Sequence, residues 1–465
     1  MTSTRLPESV IPVTIDVPAE HPLLLLKEEL PLEELENSAR GYWRKAGKNV
    51  DGGPGRPFDY RLWVRIIILM LFLKKDYRQM ERELKENVVA RLFVKFEESD
   101  SNSLRDHSNI ARACEALGAE GTEELNVMLL QKALTEGFTD RSVLSSDTTA
   151  QEVHITYPSE AGILRQVAQR VARLCKALKK STKEGVKDFV QSSKELLELL
   201  EVNIKTILKK VKEHQLFAKG KEAKTKVLEQ VSKEAQELMS SMGQLVHKSK
   251  EFACKSIEKM CANFENMEDF LKRLLPQVRH WLDTGKVAKD KLIHPGIQEA
   301  RALIRNKAGK KVEFGFKWLI NLIKGGYTFG SMFFGAVGES TMPVEAIDSF
   351  QRNLVTDDVP KLFAYDRGGW SKKNGELLQK RGVEKVGIQP KGQADWLIEE
   401  ADQDTVKSLR AQTEGIIGTL KNGGYRFNKP KERSTRTIEQ AGQRAFVSKN
   451  LNKLLSDLLK KRSKA

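Results

Sequence analysis

The sequence is poor in the residues that mark zinc centres and disulfide frameworks. Its four cysteines are scattered along 465 residues without a CxxC pair, and its seven histidines stand apart with no HExxH spacing. Zinc sites and disulfide-rich folds need closely and regularly spaced ligands or thiols. The sequence therefore indicates neither kind of site, and we interpret the cysteines as buried or idle thiols.

Long apolar runs are also missing. The longest uninterrupted one, Ile66 to Leu73, is far shorter than the roughly 20 residues that a membrane-spanning helix needs. The first residues, MTSTRLPESV, lack the charged and apolar regions of a signal peptide. The sequence therefore predicts a cytoplasmic protein without a membrane partner.

Positive charge, by contrast, is in excess. Lysine and arginine total 79 against 63 acids, which gives a formal net charge of +16 and favours a polyanionic partner such as nucleic acid. The stretch from Ala161 to Lys310 holds 32 basic and 18 acidic residues, a surplus of 14 that accounts for most of this charge. A charge run on helices is usually a solvated face, so it supports DNA contact only together with suitable chemistry elsewhere.

Helical patterns dominate the first 140 residues. Residues 1–57 are predicted to form an N-terminal arm that ends in the loop NVDGGPGRP, and residues 58–140 show the apolar spacing of several short helices. Six arginines in that region fit a helix-turn-helix-like DNA-binding domain, and a plain helical bundle with a basic face fits equally well. The six are Arg61, Arg65, Arg78, Arg82, Arg91 and Arg105.

Strand patterns lie on both sides of a long helical stretch. Residues 141–158 are predicted to form a strand, residues 159–310 form long amphipathic helices, and residues 311–465 alternate strands with helices. The order is strand, long insertion, two strands, helix, strand, helix, strand, helix. This order predicts a mixed α/β domain interrupted by a basic, coiled-coil-like helical insertion.

Three acidic residues occur in settings that suggest a shared metal site. Asp147 in VLSSDTTAQE and Asp366 in LFAYDRGGW end strand-like runs, and Glu414 in SLRAQTEGIIGTLK lies on a predicted helix. Their carboxylates are the hard oxygen ligands that Mg²⁺ or Mn²⁺ prefers, and two such ions about 3.5–4 Å apart catalyse phosphoryl transfer. For each acid alone, a turn or a helical ion pair is the favoured interpretation, but the three in order with their flanking motifs favour a metal site and phosphodiester chemistry.

Around these acids the chain resembles the DDE transposases of bacterial insertion sequences. The resemblance spans roughly residues 56–455. The Asp147 segment with ITYPSEAGIL is similar to the family's first motif, and YDRGGW is similar to its second. The most specific feature is the R-x3-E-x6-K spacing of Arg410, Glu414 and Lys421, although Lys407 stands where the family often has a tyrosine.

The resemblance implies an α/β ribonuclease-H-like catalytic domain with a mixed sheet, an N-terminal helical DNA-binding domain and a long all-α insertion between the first and second strands. It implies an enzyme that binds the terminal inverted repeats of its element, cleaves phosphodiester bonds at the ends and joins the 3′-hydroxyl ends to target DNA. Two Mg²⁺ or Mn²⁺ ions on the three acids would be its cofactors. Such enzymes act on double-stranded DNA at the bacterial nucleoid, as homodimers or larger synaptic assemblies.

Five residues near the acids are candidates for DNA contact. Arg410 and Lys421 stand four residues before and seven after the helical glutamate, on nearly one face, where they would hold the scissile phosphate and its neighbours. Arg367 directly follows the second acid. Trp370 could stack on a displaced base or simply pack on the sheet, and Lys317 could follow backbone phosphates or face outward from an edge strand.

Two other functions remain open from the sequence. A catalytically silent descendant could bind DNA as a repressor or scaffold, and the three intact acids argue against it. A structure-specific nuclease could cut DNA without joining it. Only the family resemblance separates cutting from cutting and joining.

Overall fold

The computed structural model describes residues 17–18, 20–54, 57–95, 106–183, 185–307, 310–335, 337–390, 392 and 394–464. The strands are β1 Val143–Glu152, β2 Arg301–Lys307, β3 Lys310–Ile323, β4 Thr328–Phe333, β5 Leu362–Tyr365 and β6 Lys385–Ile388. The helices are α1 Pro22–Glu29, α2 Leu32–Lys45, α3 Tyr60–Phe72, α4 Tyr77–Glu86, α5 Val88–Val94, α6 His107–Thr135, α7 Glu160–Lys179, α8 Val186–Ser192, α9 Lys194–Leu216, α10 Gly220–Ser249, α11 Lys255–Thr284, α12 Met342–Leu354, α13 Lys372–Lys380, α14 Glu400–Asn422 and α15 Thr435–Arg462.

The strands form one mixed sheet in the order β2-β3-β1-β5-β6, and β4 also pairs with β3. Strand β1 is antiparallel to β3 and parallel to β5, and β5 is parallel to β6. In the β1–β5 pair, Ser146 lies opposite Tyr365, the last residue of β5. Asp147, the next residue of β1, is therefore level with Asp366, which follows β5.

Helices cover both faces of this sheet. On one face, Leu362 and Ala364 of β5 pack on Val406 of α14. On the other face, Phe363 and Tyr365 join the largest hydrophobic core, to which α12 also contributes. Because side chains alternate along a strand, Asp366, the residue after Tyr365, points toward α14.

The N-terminal helices share that largest core with the sheet. Leu26 of α1 and Trp43 of α2 are fully buried in the same cluster as Leu144 of β1 and Val447 of α15. The described part of the predicted arm is thus a packed helical layer. The boundaries predicted at residues 57 and 140 do not separate hydrophobic cores, because the apolar faces of these helices are buried in the same cluster as the sheet. The first 16 residues of the predicted arm lie outside the described residues.

The helical insertion has a core of its own. Helices α7 to α11 bury one cluster of apolar side chains that extends from Ala161 to Leu292. Glu160 and Lys291 form an ion pair, so the chain enters and leaves the insertion at nearly the same place. The predicted helical stretch is too long, because α11 ends at Thr284 and residues 301–307 form β2. This short segment obtains its backbone hydrogen bonds by pairing with β3, a long-range contact that local spacing does not reveal.

The order of elements after residue 310 confirms the prediction of a mixed α/β layer. The hairpin of β3 and β4 turns at Gly325 and Gly326, and α12, β5, α13, β6 and α14 follow in the predicted sequence. The first strand is shorter than predicted, since β1 ends at Glu152 and does not run to residue 158. Within the described residues, the structure contains no helix with the length and apolar character needed to cross a membrane.

Candidate active site

Asp147 is a partly exposed acid in an otherwise buried stretch of β1. All the residues from Leu144 to Gln151 except Asp147 are buried. The Asp147 Oδ1 atom accepts a hydrogen bond from the backbone N–H of Thr148 at 2.7 Å. The prediction that this acid ends a strand is wrong, because β1 continues past it. The neighbouring strand β5 ends level with Asp147, so the Asp147 side chain lies at the carboxyl end of β5. We call this position the β1–β5 edge.

Asp366 directly follows β5 and lies at that edge. Its carboxylate accepts a hydrogen bond from the Gly368 N–H at 3.3 Å and caps a 3₁₀ turn over Arg367–Gly369. The same carboxylate forms an ion pair with Arg410 of α14. The strand register places Asp147 and Asp366 next to each other on the face that meets α14.

Helix α14 is fixed closely on the sheet. The hydroxyl groups of Thr413 and Ser145 lie 2.6 Å apart in a hydrogen bond, and Ser145 Oγ also donates to the Leu409 carbonyl at 3.3 Å. Gly387 of β6 permits the close approach, since a Cβ atom there would lie 2.4 Å from Val406 Cγ2. These contacts set which residues of α14 stand above the two aspartates.

Glu414 follows Thr413 and is exposed on α14, one turn after Arg410. The structure brings Arg410 to the aspartates, but it does not close the three acids into a ligand group. In the part of the chain that the structure describes, no three Asp, Glu, His or Cys side chains are arranged to hold a metal ion. Lys421 lies in the last turn of the helix, with its Nζ 3.8 Å from a carboxylate oxygen of Glu313.

Three further predicted DNA contacts have different positions. Arg367 is exposed beside the second aspartate, and Trp370 is half-buried against the largest core, as its packing interpretation predicts. Lys317 lies on the other face of the sheet, where its Nζ donates to the Val337 carbonyl at 2.7 Å and to Glu339 at 3.1 Å. It does not face outward from an edge strand, because β3 pairs on both sides. The structure does not bring this lysine to the group formed with Arg410.

Glu339 is a neighbouring acid that the sequence reasoning missed. It begins a 3₁₀ turn and accepts hydrogen bonds from Thr148 Oγ1 at 3.0 Å and from the Tyr365 hydroxyl at 3.3 Å. Thr148 and Glu339 are 191 positions apart, so no local spacing signals their contact. Only the packing of the 3₁₀ turn against β1 and β5 brings this carboxylate close to the edge.

The pKa of the Tyr365 hydroxyl is affected by the negative charges at this edge. Burial raises the pKa of Tyr365 well above its ordinary value, and the negative charges of Glu339, Asp147 and Asp366 raise it further. The hydroxyl therefore stays protonated and donates to Glu339. Negative charge is concentrated here, which is the environment that bound cations would neutralise.

The arginines predicted for DNA contact divide into two groups. Arg61, Arg78 and Arg82 are exposed on α3 and α4, and Arg91 of α5 is partly exposed. Arg65 is only 8% exposed, and its Nε donates to a Glu36 carboxylate oxygen at 2.6 Å. Arg65 is thus part of a buried ion pair and is not available to DNA, while Arg105 lies outside the described residues.

The fold and this edge define a mixed α/β protein with acids and cations gathered where a parallel strand pair ends. Residues 13–116 match the family model described as a transposase domain (DUF772). The match supports a transposase family and a DNA-processing enzyme, and it ends before Asp147, so it does not include the acids. No curated protein and no solved structure matches the chain.

Proposed function

We propose that this chain is a DNA transposase whose active site lies at the β1–β5 edge under α14. It binds the terminal inverted repeats of its element, hydrolyses a phosphodiester bond at each end and joins the 3′-hydroxyl to target DNA. The observation that carries this proposal is the placement of Asp147 and Asp366 side by side on the face where Arg410 stands. The transposase-domain match supports it, and the mixed sheet agrees with a ribonuclease-H-like catalytic domain.

By their chemistry the three acids could supply ligands to two Mg²⁺ or Mn²⁺ ions, although in the described structure they do not form one ligand group. Asp147, Asp366 and Glu414 offer carboxylate oxygens, which these hard cations prefer, and all three side chains are at least partly exposed. When bound, such ions activate the attacking hydroxyl and stabilise the leaving oxygen. Arg410 now pairs with one of these carboxylates. We propose that this arginine transfers to a DNA phosphate when the substrate enters.

The cations around the edge would hold the DNA. Arg410 and Lys421 project from the same helix as the glutamate and would hold the scissile phosphate and its neighbours. Arg367 is exposed beside the second aspartate and is placed to contact the backbone. Trp370 would need to leave its half-buried position in order to stack on a base, so packing is its better-supported role.

The enzyme would act on two DNA ends at once, as a homodimer or a larger assembly at the bacterial nucleoid. The insertion is a separate helical body with its own core, and we propose that it makes the subunit or end-DNA contacts of this assembly. A deletion of residues 161–291 with a short linker tests its role, since the chain enters and leaves at one place. Sedimentation with repeat DNA should show a loss of the assembly, and an unchanged assembly would contradict this role.

Strand transfer on pre-cut ends tests the proposed function and separates it from a nuclease. The substrate is labelled duplex DNA that carries the terminal repeats flanking the gene, already cut to expose the 3′-hydroxyl. The purified protein with Mg²⁺ or Mn²⁺ should join these ends to a plasmid. Cleavage of uncut ends without any joining of pre-cut ends would support a structure-specific nuclease instead.

A further inference from the structure

Three connected cavities run from the N-terminal helices to the base of the insertion. The first, of about 740 Å³, lies between α4 and the end of α14 and is lined by Arg82 and Lys421. The second, of about 360 Å³, shares Lys74 and Arg426 with the first. The third, of about 240 Å³, meets the second at His154. We name these three cavities together the basic groove.

Positive charge dominates the basic groove. Ten lysines and arginines line its three cavities against four acids. Two of the acids, Glu83 and Glu432, are engaged in ion pairs with cations of the groove. Asp76 caps α4 and also lies 3.9 Å from Arg426 and 3.4 Å from Lys431. One carboxylate thus serves two cations and a helix end. Lys421 and Lys429 pair with Glu313 and Glu152 outside the lining, at 3.8 and 3.6 Å, and the eight other cations still outnumber the four acids of the lining.

Three cations of the groove have an unusual backbone conformation. Lys74, Arg426 and Lys429 have φ values of 54°, 60° and 49°, and they are half of the positive-φ residues other than glycine in the described chain. This left-handed region costs about 1–2 kcal/mol for a side-chain-bearing residue and is retained where surrounding contacts impose it, often at ligand sites. Here the Lys74 ammonium lies 4.1 Å from the centre of the Tyr425 ring, and Arg426 donates to Gln79 at 3.0 Å.

A partly buried ion pair holds the walls of the groove together. Arg444 of α15 contacts both the Tyr77 hydroxyl of α4 and the Glu432 carboxylate of the loop before α15. The helix and the loop are therefore fixed relative to each other before any ligand binds. A groove that is formed in advance loses less conformational entropy on binding.

We propose that the basic groove holds the sugar–phosphate backbone of the element-end DNA and leads it toward the active site. Lys421 joins the two regions, because it lines the first cavity and belongs to the helix of Arg410. Phosphates at several positions would neutralise Arg82, Arg426 and Lys431. The proposal rests on the proposed function, and it adds the path that the DNA takes from α4 past the end of α14 to the insertion.

The salt dependence of DNA binding tests this path. The double variant Arg426→Gln/Lys431→Gln should bind labelled repeat duplex more weakly. The slope of log affinity against log salt should become shallower by about 2, because each lost phosphate contact contributes about 0.9. The matched control is Lys460→Gln/Lys464→Gln, which removes one exposed cation in the last turn of α15 and one just after the helix. Lys460 lies about 24 Å along the helix from Arg444. The control should keep the wild-type slope.

A second variant shows whether a weaker salt dependence comes from lost phosphate contacts or from a loss of folding. Arg82→Gln changes one exposed side chain on α4 and should reduce the slope by about 1 while the circular dichroism spectrum is unchanged. If wild type cuts repeat DNA but both groove variants keep its slope, the groove proposal is overturned and the proposed function stands. If wild type binds no duplex of any sequence, the proposed function fails and the groove proposal fails with it.

Discussion

Lys449 of α15 is a buried lysine whose charge the fold disfavours. Burial, with the nearby charge of Lys453, lowers its pKa to about 8, although Asp457 opposes the shift. Its Nζ donates to the Gly326 carbonyl at 2.5 Å. Between pH 8 and about 10.5 the unfolded chain holds a proton here that the folded chain has released. The contribution of Lys449 to the free energy of unfolding should therefore rise with pH over this window, by at most about 3 kcal/mol, while buried thiols with raised pKa values, such as Cys114, contribute in the opposite direction.

Urea unfolding at pH 7 to 10 tests this expectation with a matched pair of variants. Lys449→Met should make the slope of unfolding free energy against pH less positive than in wild type, because the buried group no longer titrates. Lys460→Met changes an exposed lysine of the same helix and should keep the wild-type pH dependence. Equal slopes for the two variants would show that Lys449 is not the group responsible.

At the scale of elements, the placement of α14 depends on Gly387 of β6. A Cβ atom at this position would lie 2.4 Å from Val406 Cγ2 and 3.0 Å from the Phe363 carbonyl oxygen, and all three groups are buried. Gly387→Ala should push α14 away from the sheet and lower stability by about 1–3 kcal/mol. Displacement of Arg410 and Glu414 by about 1 Å should also lower cleavage by about 100-fold.

A second substitution separates displacement from a general loss of stability. Val406→Ala removes the clashing methyl groups, so Gly387→Ala/Val406→Ala should recover cleavage relative to Gly387→Ala alone. Gly418→Ala is the control, because a Cβ atom there meets nothing within 4 Å and a helical alanine is more favourable than glycine. Cleavage at the wild-type rate by Gly387→Ala would contradict the role assigned to the helix position.

At the scale of the whole molecule, local patterns predicted the order of elements better than their packing. The hairpin at Gly325 and Gly326, the strand before Asp366 and the helix of Glu414 follow from apolar periodicity and turn residues. The arrangement of β2 and the contact of Glu339 with Thr148 depend on pairing across long stretches of sequence. The shared core of the N-terminal helices and the sheet was missed for the same reason.

The candidate site was predictable to a similar extent. The motif spacing selected Asp147, Asp366 and the helix residues, and the structure places the two aspartates together with Arg410. The motif spacing did not show that Arg65 pairs with Glu36 in the N-terminal helices, or that Lys317 pairs with Glu339 on the opposite face of the sheet, because burial and strand face depend on tertiary packing. The packing of the loop after α14 against α4, which forms the basic groove, has no local signal either, because Arg426 and its partner Gln79 are 347 positions apart.

The most direct test of the central claim is DNA cleavage by wild type and three acid variants in Mg²⁺ and in Mn²⁺. Asp147→Asn, Asp366→Asn and Glu414→Gln should each lose cleavage and joining of repeat DNA while still shifting it in a gel. Glu376→Gln, an exposed acid on α13, is the control and should cleave at the wild-type rate. If wild type binds the DNA but neither cuts nor joins it in either metal, or if the three variants cleave normally, the proposed active site is contradicted.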